Sequence, residues 1–297
     1  MNEGLAVAEP RPAPAVAATA AAALRVSFEF FPPRSETASM QLWATVAALE
    51  PLRPCFVSVT YGAGGTTHAT TVETITRLRR ETALEPAAHL TCVGAGRAEI
   101  DELLRAYWDA GIRHIVALRG DLPSGAASAG ELRHANELVQ FIRERTGDHF
   151  HIDVACYPEF HPQAKSPQDD LRNFKRKIDA GANSAITQYF YNADSYFRFI
   201  DDCEAIGIAI PIVPGVMPIS NFSQLARFSD ACGTEIPRWL RLKMASFGDD
   251  LASIRSLGLD IVTDLCDRLL SAGAPGLHFY TMNQAGPTSK IWQRLGL

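Results

Sequence analysis

The sequence has few cysteines, and none of them form the patterns that stabilise secreted proteins or bind zinc. Its six cysteines are scattered over 297 residues and include no Cys-x-x-Cys pair. A disulfide framework or a structural zinc site would need thiols at characteristic spacings. We therefore expect reduced, mostly buried thiols and a cytoplasmic protein.

Excess positive charge and long apolar segments are also missing. The net charge is -5, which argues against nucleic-acid binding, because such a surface must neutralise phosphates. An anionic ligand would need a local basic pocket. No segment is long and apolar enough to span a membrane. Residues 1–24 are rich in Ala and Pro and lack the leucine-rich core of a secretory signal, so we expect a disordered leader.

The usual nucleotide-binding motifs are absent as well. The glycine stretches 62–67 and 94–99 each lack the third glycine of a dinucleotide fingerprint, and there is no Gly-x-x-x-x-Gly-Lys loop. A nucleotide cofactor would have to be held by other means. No group of His, Asp or Glu residues has metal-ligand spacing on one element, so we expect no metal.

What the sequence does contain, from residue 25 to 297, is a repeated alternation of short apolar strands and helical patterns. Strands are predicted to start near Val26, Phe56, Ala87, Ile112, His151, Ser184, Ile210 and Leu277. Helices are predicted over Glu36–Leu49, Thr70–Arg80, Arg97–Ala110, Glu131–Arg145, Gln168–Ala180, Asp194–Ile206, Asn221–Ala231, Asp249–Ala272 and Pro287–Arg294. Gly111 and Gly181 lie where helices should end. Repeated units of this kind predict parallel strands and a single (β/α)8 TIM barrel.

Polar residues collect where nearly every predicted strand ends. They are Glu29, Thr60, Tyr61, His89, Arg119, Gly120, Asp121, Tyr157, Gln188 and Tyr280. In a barrel the carboxyl ends of the strands converge on one face, which is where active sites are built. In an open sheet the same residues would be spread along an edge. This convergence favours the barrel and an enzyme.

Glu29 is the residue around which this face is predicted to be organised. It lies among Phe28, Phe30 and Phe31 in a strand that ends at two prolines. A carboxyl surrounded by rings is desolvated, which raises its pKa and suits a general acid. Alternatively, Glu29 points to solvent by simple alternation, or it pairs with an arginine.

Three other features have a structural explanation beside the functional one. Arg119 and Asp121 flank a glycine at a strand end, where they face the barrel mouth or form a local ion pair. His161 is a ligand or a cap of the following helix. That helix carries Asp170, Asn173, Arg176 and Lys177, which form either a binding surface or a solvated face.

In addition, several collinear segments give the chain a specific resemblance. They are Ser27-Phe28-Glu29-Phe30-Phe31-Pro32-Pro33, Phe56-Val57-Ser58-Val59-Thr60-Tyr61-Gly62-Ala63, His89-Leu90-Thr91-Cys92, Ala117-Leu118-Arg119-Gly120-Asp121, Tyr157-Pro158-Glu159, Lys175-Arg176-Lys177, Ala180-Gly181-Ala182-Asn183, Ile186-Thr187-Gln188-Tyr189-Phe190, Pro214-Gly215-Val216-Met217-Pro218 and His278-Phe279-Tyr280-Thr281. From about residue 25 onward, the chain resembles the 5,10-methylenetetrahydrofolate reductase family in its bacterial, catalytic-domain-only form.

The resemblance implies a flavin-dependent oxidoreductase on a (β/α)8 barrel. It implies non-covalent FAD, a hydride taken from NADH or NADPH, a folate substrate and a homo-oligomer. Glu29 would be the general acid. Asp121 would lie beside the flavin and the pterin, where its charge favours a developing cation. Gln188 would orient the pterin. The resemblance does not decide between NADH and NADPH.

The family's binding residues can be carried over position by position. The flavin contacts implied are Thr60, Tyr61, Ala63, His89, Arg119, Gly120, Asp121, Ala135, Tyr157, His161, Ala164, Asp170, Asn173, Arg176 and Lys177. The substrate positions are Gln188, Gln224, Phe228 and Gln284. At the last of these, many relatives have an arginine that can pair with a folate carboxylate. We expect weaker capture of the folate tail, or compensation by Arg241, Lys243 or Lys290.

Two other functions compete with the reductase. A pterin-binding methyl-group transferase on the same kind of barrel would need no flavin, but it leaves the residues from His161 to Lys177 unexplained. A non-catalytic folate- or FAD-binding paralogue would not need Glu29, Asp121 and Gln188 together.

Overall fold

The computed structural model describes residues 24–61, 68–121 and 130–297. The predicted leader lies outside these residues apart from its last position. The glycine stretch 62–67, with the predicted flavin contact Ala63, also lies outside them.

The described residues form strands and helices that alternate along the chain. The strands are β1 (Arg25–Phe30), β2 (Phe56–Val59), β3 (Pro86–Thr91), β4 (His114–Leu118), β5 (His151–Cys156), β6 (Ser184–Thr187), β7 (Ile212–Val213), β8 (Gly215–Val216) and β9 (Gly276–Tyr280). The helices are α1 (Glu36–Leu49), α2 (His68–Glu81), α3 (Arg97–Asp109), α4 (Ala135–Thr146), α5 (Pro167–Asp179), α6 (Ala193–Ala205), α7 (Phe222–Cys232), α8 (Arg238–Ala245), α9 (Leu251–Ser271) and α10 (Ala285–Leu295), with a 3-10 turn at Glu50–Leu52.

All the strands are parallel and close into a barrel. They lie in the order β7-β6-β5-β4-β3-β2-β1-β9-β8. β7 and β8 are two halves of one strand separated by Pro214: β7 pairs with β6, and β8 pairs with β9. Gly215 is required at this seam, because a Cβ there would lie 2.2 Å from the Thr187 carbonyl oxygen. The predicted (β/α)8 barrel is confirmed.

Side chains alternate between the two faces of the strands. Phe28 and its neighbours on the outer face pack beneath the helices; its ring centroid lies 6.1 Å from those of Phe279 and Trp292. On the inner face, Phe56, Ala87, Val116 and Ile186 form a small apolar layer. Polar side chains occupy the inner face toward both ends of the barrel.

The structure departs from the predicted elements at several boundaries. The fourth strand starts at His114 and not near Ile112, and the fourth helix starts at Ala135 and not at Glu131. Helix α8 was not predicted. It buries Leu240 and Met244 but exposes Trp239 and Leu242, so its apolar residues do not form the single stripe from which a helix is recognised.

Two further observations concern the classes of protein considered from composition. The six cysteines are free thiols, and four of them are buried. No helix within the described ranges has the length and apolar character needed to cross a membrane.

Candidate active site at the carboxyl ends of the strands

Glu29 points into the barrel and lies between two imidazole rings. It is 7% exposed, and its Oε2 lies 3.4 Å from His89 Nε2 and 3.7 Å from His278 Nε2. Burial excludes the solvent-exposed alternative, and among the described residues the groups beside the carboxyl are two imidazoles and not an arginine. The predicted ring environment is wrong in detail, because alternation turns Phe28 and Phe30 to the outer face.

The two histidines leave unused hydrogen-bonding capacity beside Glu29. Both are buried, and among the described residues neither Nε2 has a hydrogen-bond partner. Burial lowers the pKa of His89. The negative charge of Glu29 acts in the opposite direction but is the smaller effect. His278 Nδ1 is hydrogen-bonded to Ser27 Oγ at 2.8 Å. Ser27, His278, Glu29 and His89 therefore form a connected polar row.

Sequence reasoning missed Ser27 and His278, although a signal was present for both. Ser27 precedes Glu29 by two residues and so shares its face of β1. His278 has the same relation to Tyr280, which was predicted to lie at a strand end. The pairing of β1 with β9 places Ser27 opposite His278.

Gln188 follows β6, and its side-chain amide is hydrogen-bonded to the sulfur of Cys232. Its backbone N–H donates to the Cys156 carbonyl at 2.8 Å, and its Nε2 donates to Cys232 Sγ at 3.3 Å. The amide lines a small pocket with Tyr157 and Glu159. Cys232 was not predicted, and no sequence signal links it to Gln188, since 44 residues separate them.

The loops that follow β4 and β5 are joined by Arg119. Its Nη2 donates to Gln163 Oε1 at 2.6 Å, and its Nε donates to the Gly120 carbonyl. Gly120 has φ +84°, a conformation suited to glycine. Asp121 is exposed. Burial raises the pKa of Tyr157, and the negative charges of Asp170 and Asp121 raise it further.

His161 lies between the β5 loop and helix α5 but does not cap that helix. The N-cap is Ser166, whose side chain accepts from the Asp169 N–H, so the capping alternative is wrong. The His161 N–H donates to Asp170 Oδ2 at 2.8 Å, and its ring packs edge-on against Tyr157, with centroids 4.7 Å apart.

Helix α5 contributes to the strand ends mainly through Asp170 and Lys177. Lys177 Nζ donates to the Ala155 carbonyl at 2.5 Å, and burial lowers the pKa of its ammonium group. Arg176 donates to Asn173 Oδ1 at 2.6 Å, and both side chains are exposed.

The other predicted flavin contacts lie at the ends of neighbouring elements. The Thr60 N–H donates to the Phe30 carbonyl at 2.9 Å, and Ala164 donates to the His161 carbonyl at 2.9 Å. Tyr61 is half-buried after β2. Ala135 is the first residue of α4.

The predicted substrate residues Gln224, Phe228 and Gln284 meet in one open cleft with about 430 Å³ of empty space. Thr281 also lines this cleft, and its Oγ1 donates to the Glu29 carbonyl at 2.6 Å. The cleft therefore adjoins the strand that carries the acid.

None of the described residues that line the cleft is basic. Of the three predicted compensating bases, Arg241 is paired with Asp230, and none lines the cleft. A base that was not predicted borders it: Arg255 Nε lies 3.4 Å from the carbonyl oxygen of Ser220, a lining residue.

Comparison with known proteins identifies the family of the chain. Residues 16–296 match the family model described as methylenetetrahydrofolate reductase. The 5,10-methylenetetrahydrofolate reductases of Salmonella typhimurium and Escherichia coli K12 are each 44% identical over 274 residues, 92% of this chain and 91% of each relative. A solved protein from Clostridium thermocellum, described as binding two copies of 5-methyl-5,6,7,8-tetrahydrofolic acid, has a TM-score of 0.64 at 16% identity and covers 90% of this chain and 92% of its own; it supports the fold alone. The match along almost the whole sequence means that the chain belongs to the methylenetetrahydrofolate reductase family.

Proposed function

We propose that this protein reduces 5,10-methylenetetrahydrofolate to 5-methyltetrahydrofolate, with NADH or NADPH as hydride donor and non-covalent FAD as carrier. The observation that carries the proposal is the buried Glu29 carboxylate between two imidazoles, beside an open cleft lined by Gln224, Phe228 and Gln284. The names of the bacterial relatives support the substrate and its reduction.

The donor set at the strand ends fits FAD. In a chain of net charge -5, Arg119, Arg176 and Lys177 supply cations on the β4 and β5 side of the barrel mouth, where a pyrophosphate would be held. Tyr157 and His161 offer ring surface beside them. When bound, FAD would supply hydride transfer from the nicotinamide to the folate in two half-reactions.

Glu29 would give its proton to the folate nitrogen that departs as the five-membered ring opens. The product of that step on the folate is an iminium cation, which then accepts hydride at the methylene carbon. His278, which is hydrogen-bonded to Ser27 at 2.8 Å, would return a proton to Glu29 once the 3.7 Å between its Nε2 and the Glu29 Oε2 has closed to hydrogen-bond length. Burial lowers the pKa of His89, which favours a neutral imidazole, so this ring places no positive charge beside Glu29.

Asp121 and Gln188 would act on charge and orientation. An exposed carboxylate at the β4 end favours the positive charge that develops on the folate. Gln188 would present one donor group and one acceptor to the pterin from the small pocket that it lines with Tyr157 and Glu159, where its Nε2 donates to Cys232 Sγ. Self-association and a cytoplasmic location stay predictions.

The test uses the purified protein under anaerobic conditions. We expect a visible flavin band that bleaches with NADH or NADPH and returns when methylenetetrahydrofolate is added. The nucleotide that bleaches the flavin band faster is the preferred hydride donor. A colourless protein that gains no flavin band with added FAD would overturn the proposal and favour the flavin-free methyl-group transferase.

Glu29→Gln separates the acid from the binding site. Flavin content and reduction by nicotinamide should be retained, whereas oxidation by the folate should slow by about 10²-fold or more, as expected for loss of a general acid. The exposed change Glu144→Gln on α4 is the matched control and should alter neither half-reaction. Full folate activity in Glu29→Gln would remove this residue from the mechanism.

A further inference from the structure

A second buried polar cluster lies at the opposite end of the barrel from Glu29. His114 and His151 are the first residues of β4 and β5, and Ser184 is the first residue of β6. His114 Nε2 lies 2.7 Å from Asp153 Oδ2, and His151 Nε2 lies 3.7 Å from Asp153 Oδ1. The Ser184 hydroxyl donates to Asp153 and is 2.7 Å from His151 Nε2. The proposed reductase chemistry uses none of these groups.

The three ionisable members of this cluster have the arrangement of a metal site. Among the described residues, His114, His151 and Asp153 are the group whose ligand atoms all lie within 4.8 Å of one another. Ligand spacing along a single element does not reveal this group, because it is assembled from two neighbouring strands whose register places His114 opposite His151.

We propose that His114, His151 and Asp153 bind one divalent transition-metal ion of the zinc class. Two imidazole nitrogens and one carboxylate suit zinc, cobalt or nickel, whereas magnesium and calcium prefer oxygen ligands throughout. Three protein ligands leave a fourth position, which water or the Ser184 hydroxyl fills in tetrahedral geometry.

Side-chain rotation is needed to form this site. With bonds of about 2.0–2.1 Å, tetrahedral geometry separates ligand atoms by roughly 3.3 Å. The observed separations of 2.7 Å and 3.7 Å lie on either side of that value, but they join the two imidazoles to different oxygens of Asp153. One carboxylate oxygen and both imidazole nitrogens, which all lie within 4.8 Å of one another, would turn toward a shared ion. Each Nε2 gives its lone pair to the metal, so it cannot carry a proton when the ion is bound. A proton present on Nε2 leaves to solvent, and a neutral ring then carries its proton on Nδ1.

An ion can reach the cluster from outside. The side chains of His114 and Asp153 are 8% and 3% exposed, but that of His151 is 35% exposed. One side chain of the cluster is therefore partly exposed and two are buried. We expect this combination in a site that an ion enters from solvent and that then shields the ion from bulk water.

The experiment titrates the metal-free protein with Co²⁺, whose visible bands are intense only in tetrahedral sites, and then displaces it with Zn²⁺. We expect saturation at one equivalent and a rise of Tm with Zn²⁺. His151→Ala and Asp153→Asn should each weaken binding by at least tenfold. His149→Ala should not, because that ring stacks on Trp108 outside the cluster.

The variants are chosen so that the result is decisive. If Asp153→Asn does not fold, His151→Ala still tests the proposal, because the His151 side chain is partly exposed. Cys55→Ser, which removes the exposed thiol, excludes a cysteine ligand if binding persists. The proposal is overturned if Co²⁺ gives no saturable band below 1 mM, or if His151→Ala binds as tightly as the parent protein. The cluster would then be a hydrogen-bonded network alone.

Discussion

Replacing Gln284 by arginine should strengthen capture of the folate tail. Gln284 is exposed at the start of α10 and lines the cleft with Gln224 and Phe228. Since none of the described residues that line the cleft is basic, an arginine there would add a cation to the lining itself, beside the bordering Arg255. The variant should lower the KM for the folate and leave flavin reduction by nicotinamide unchanged.

The size of this effect follows from the exposure of residue 284. Two unit charges about 4 Å apart attract by about 1 kcal/mol in water, and by about 4 kcal/mol at an effective dielectric constant of 20. Because Gln284 is exposed to solvent, the value for water is the appropriate one, and exposed ion pairs contribute about 0.2–1 kcal/mol. We therefore expect KM to fall up to about fivefold. The gain should vanish near 1 M salt, where the Debye length is about 3 Å.

The assay is the folate KM at several salt concentrations. Gln284→Leu removes the amide without adding charge, and Gln140→Arg adds the same charge on α4, away from the cleft; neither should lower KM. Arg255→Gln should raise KM, because that guanidinium group borders the cleft at Ser220, and Gln284→Arg should compensate for it. An unchanged KM with an unchanged salt dependence in Gln284→Arg would refute the reasoning.

Three further changes test the packing and the charge around the site. Burial raises the pKa of Glu159 from 4.5 to about 7, so the folded state binds more protons between these values and stability falls as pH rises through them. In urea unfolding at pH 8, the free energy of unfolding of Glu159→Gln should exceed that of the parent by about 1 kcal/mol, and at pH 4 the two should be nearly equal. The difference stays small because the side chain is partly exposed. Gly215→Ala should lower Tm by 10 °C or more or prevent folding, whereas Gly286→Ala, with nothing within 4 Å of its added Cβ, should be neutral or slightly stabilising. Cys232→Val should raise the folate KM severalfold at nearly unchanged Tm, because the Gln188 amide loses its contact.

Most of the fold could be predicted from the sequence because the strand–helix alternation is regular. Gly111 and Gly181 mark helix ends as predicted; they have φ +74° and +112° and follow α3 and α5. The errors lie where local pattern is weak. Pro214 divides one strand into two short pairings, and α8 is too short and too mixed in character to be recognised.

The candidate site could be predicted only in part. Strand-end position identified Glu29, His89 and Gln188, because barrel topology brings strand ends together whatever the loops do. The partners of these residues depend on register between distant segments. Ser27 and His278 are 251 residues apart in sequence, and no local pattern relates them. The neighbours expected for Glu29 were wrong for the same reason, since adjacent residues in a strand face opposite sides.

The polar groups at the two ends of the barrel depend on the apolar layer between them. The Phe56 ring lies 4.2 Å from the His114 ring and 6.0 Å from the His278 ring, so one side chain contacts both clusters. Water that entered here would hydrate Glu29 and Asp153 together and weaken every charge interaction at both ends. One small apolar layer lies between the two clusters. Phe56, Ala87, Val116 and Ile186 therefore keep the acid at one end and the His-Asp cluster at the other as separate chemical environments.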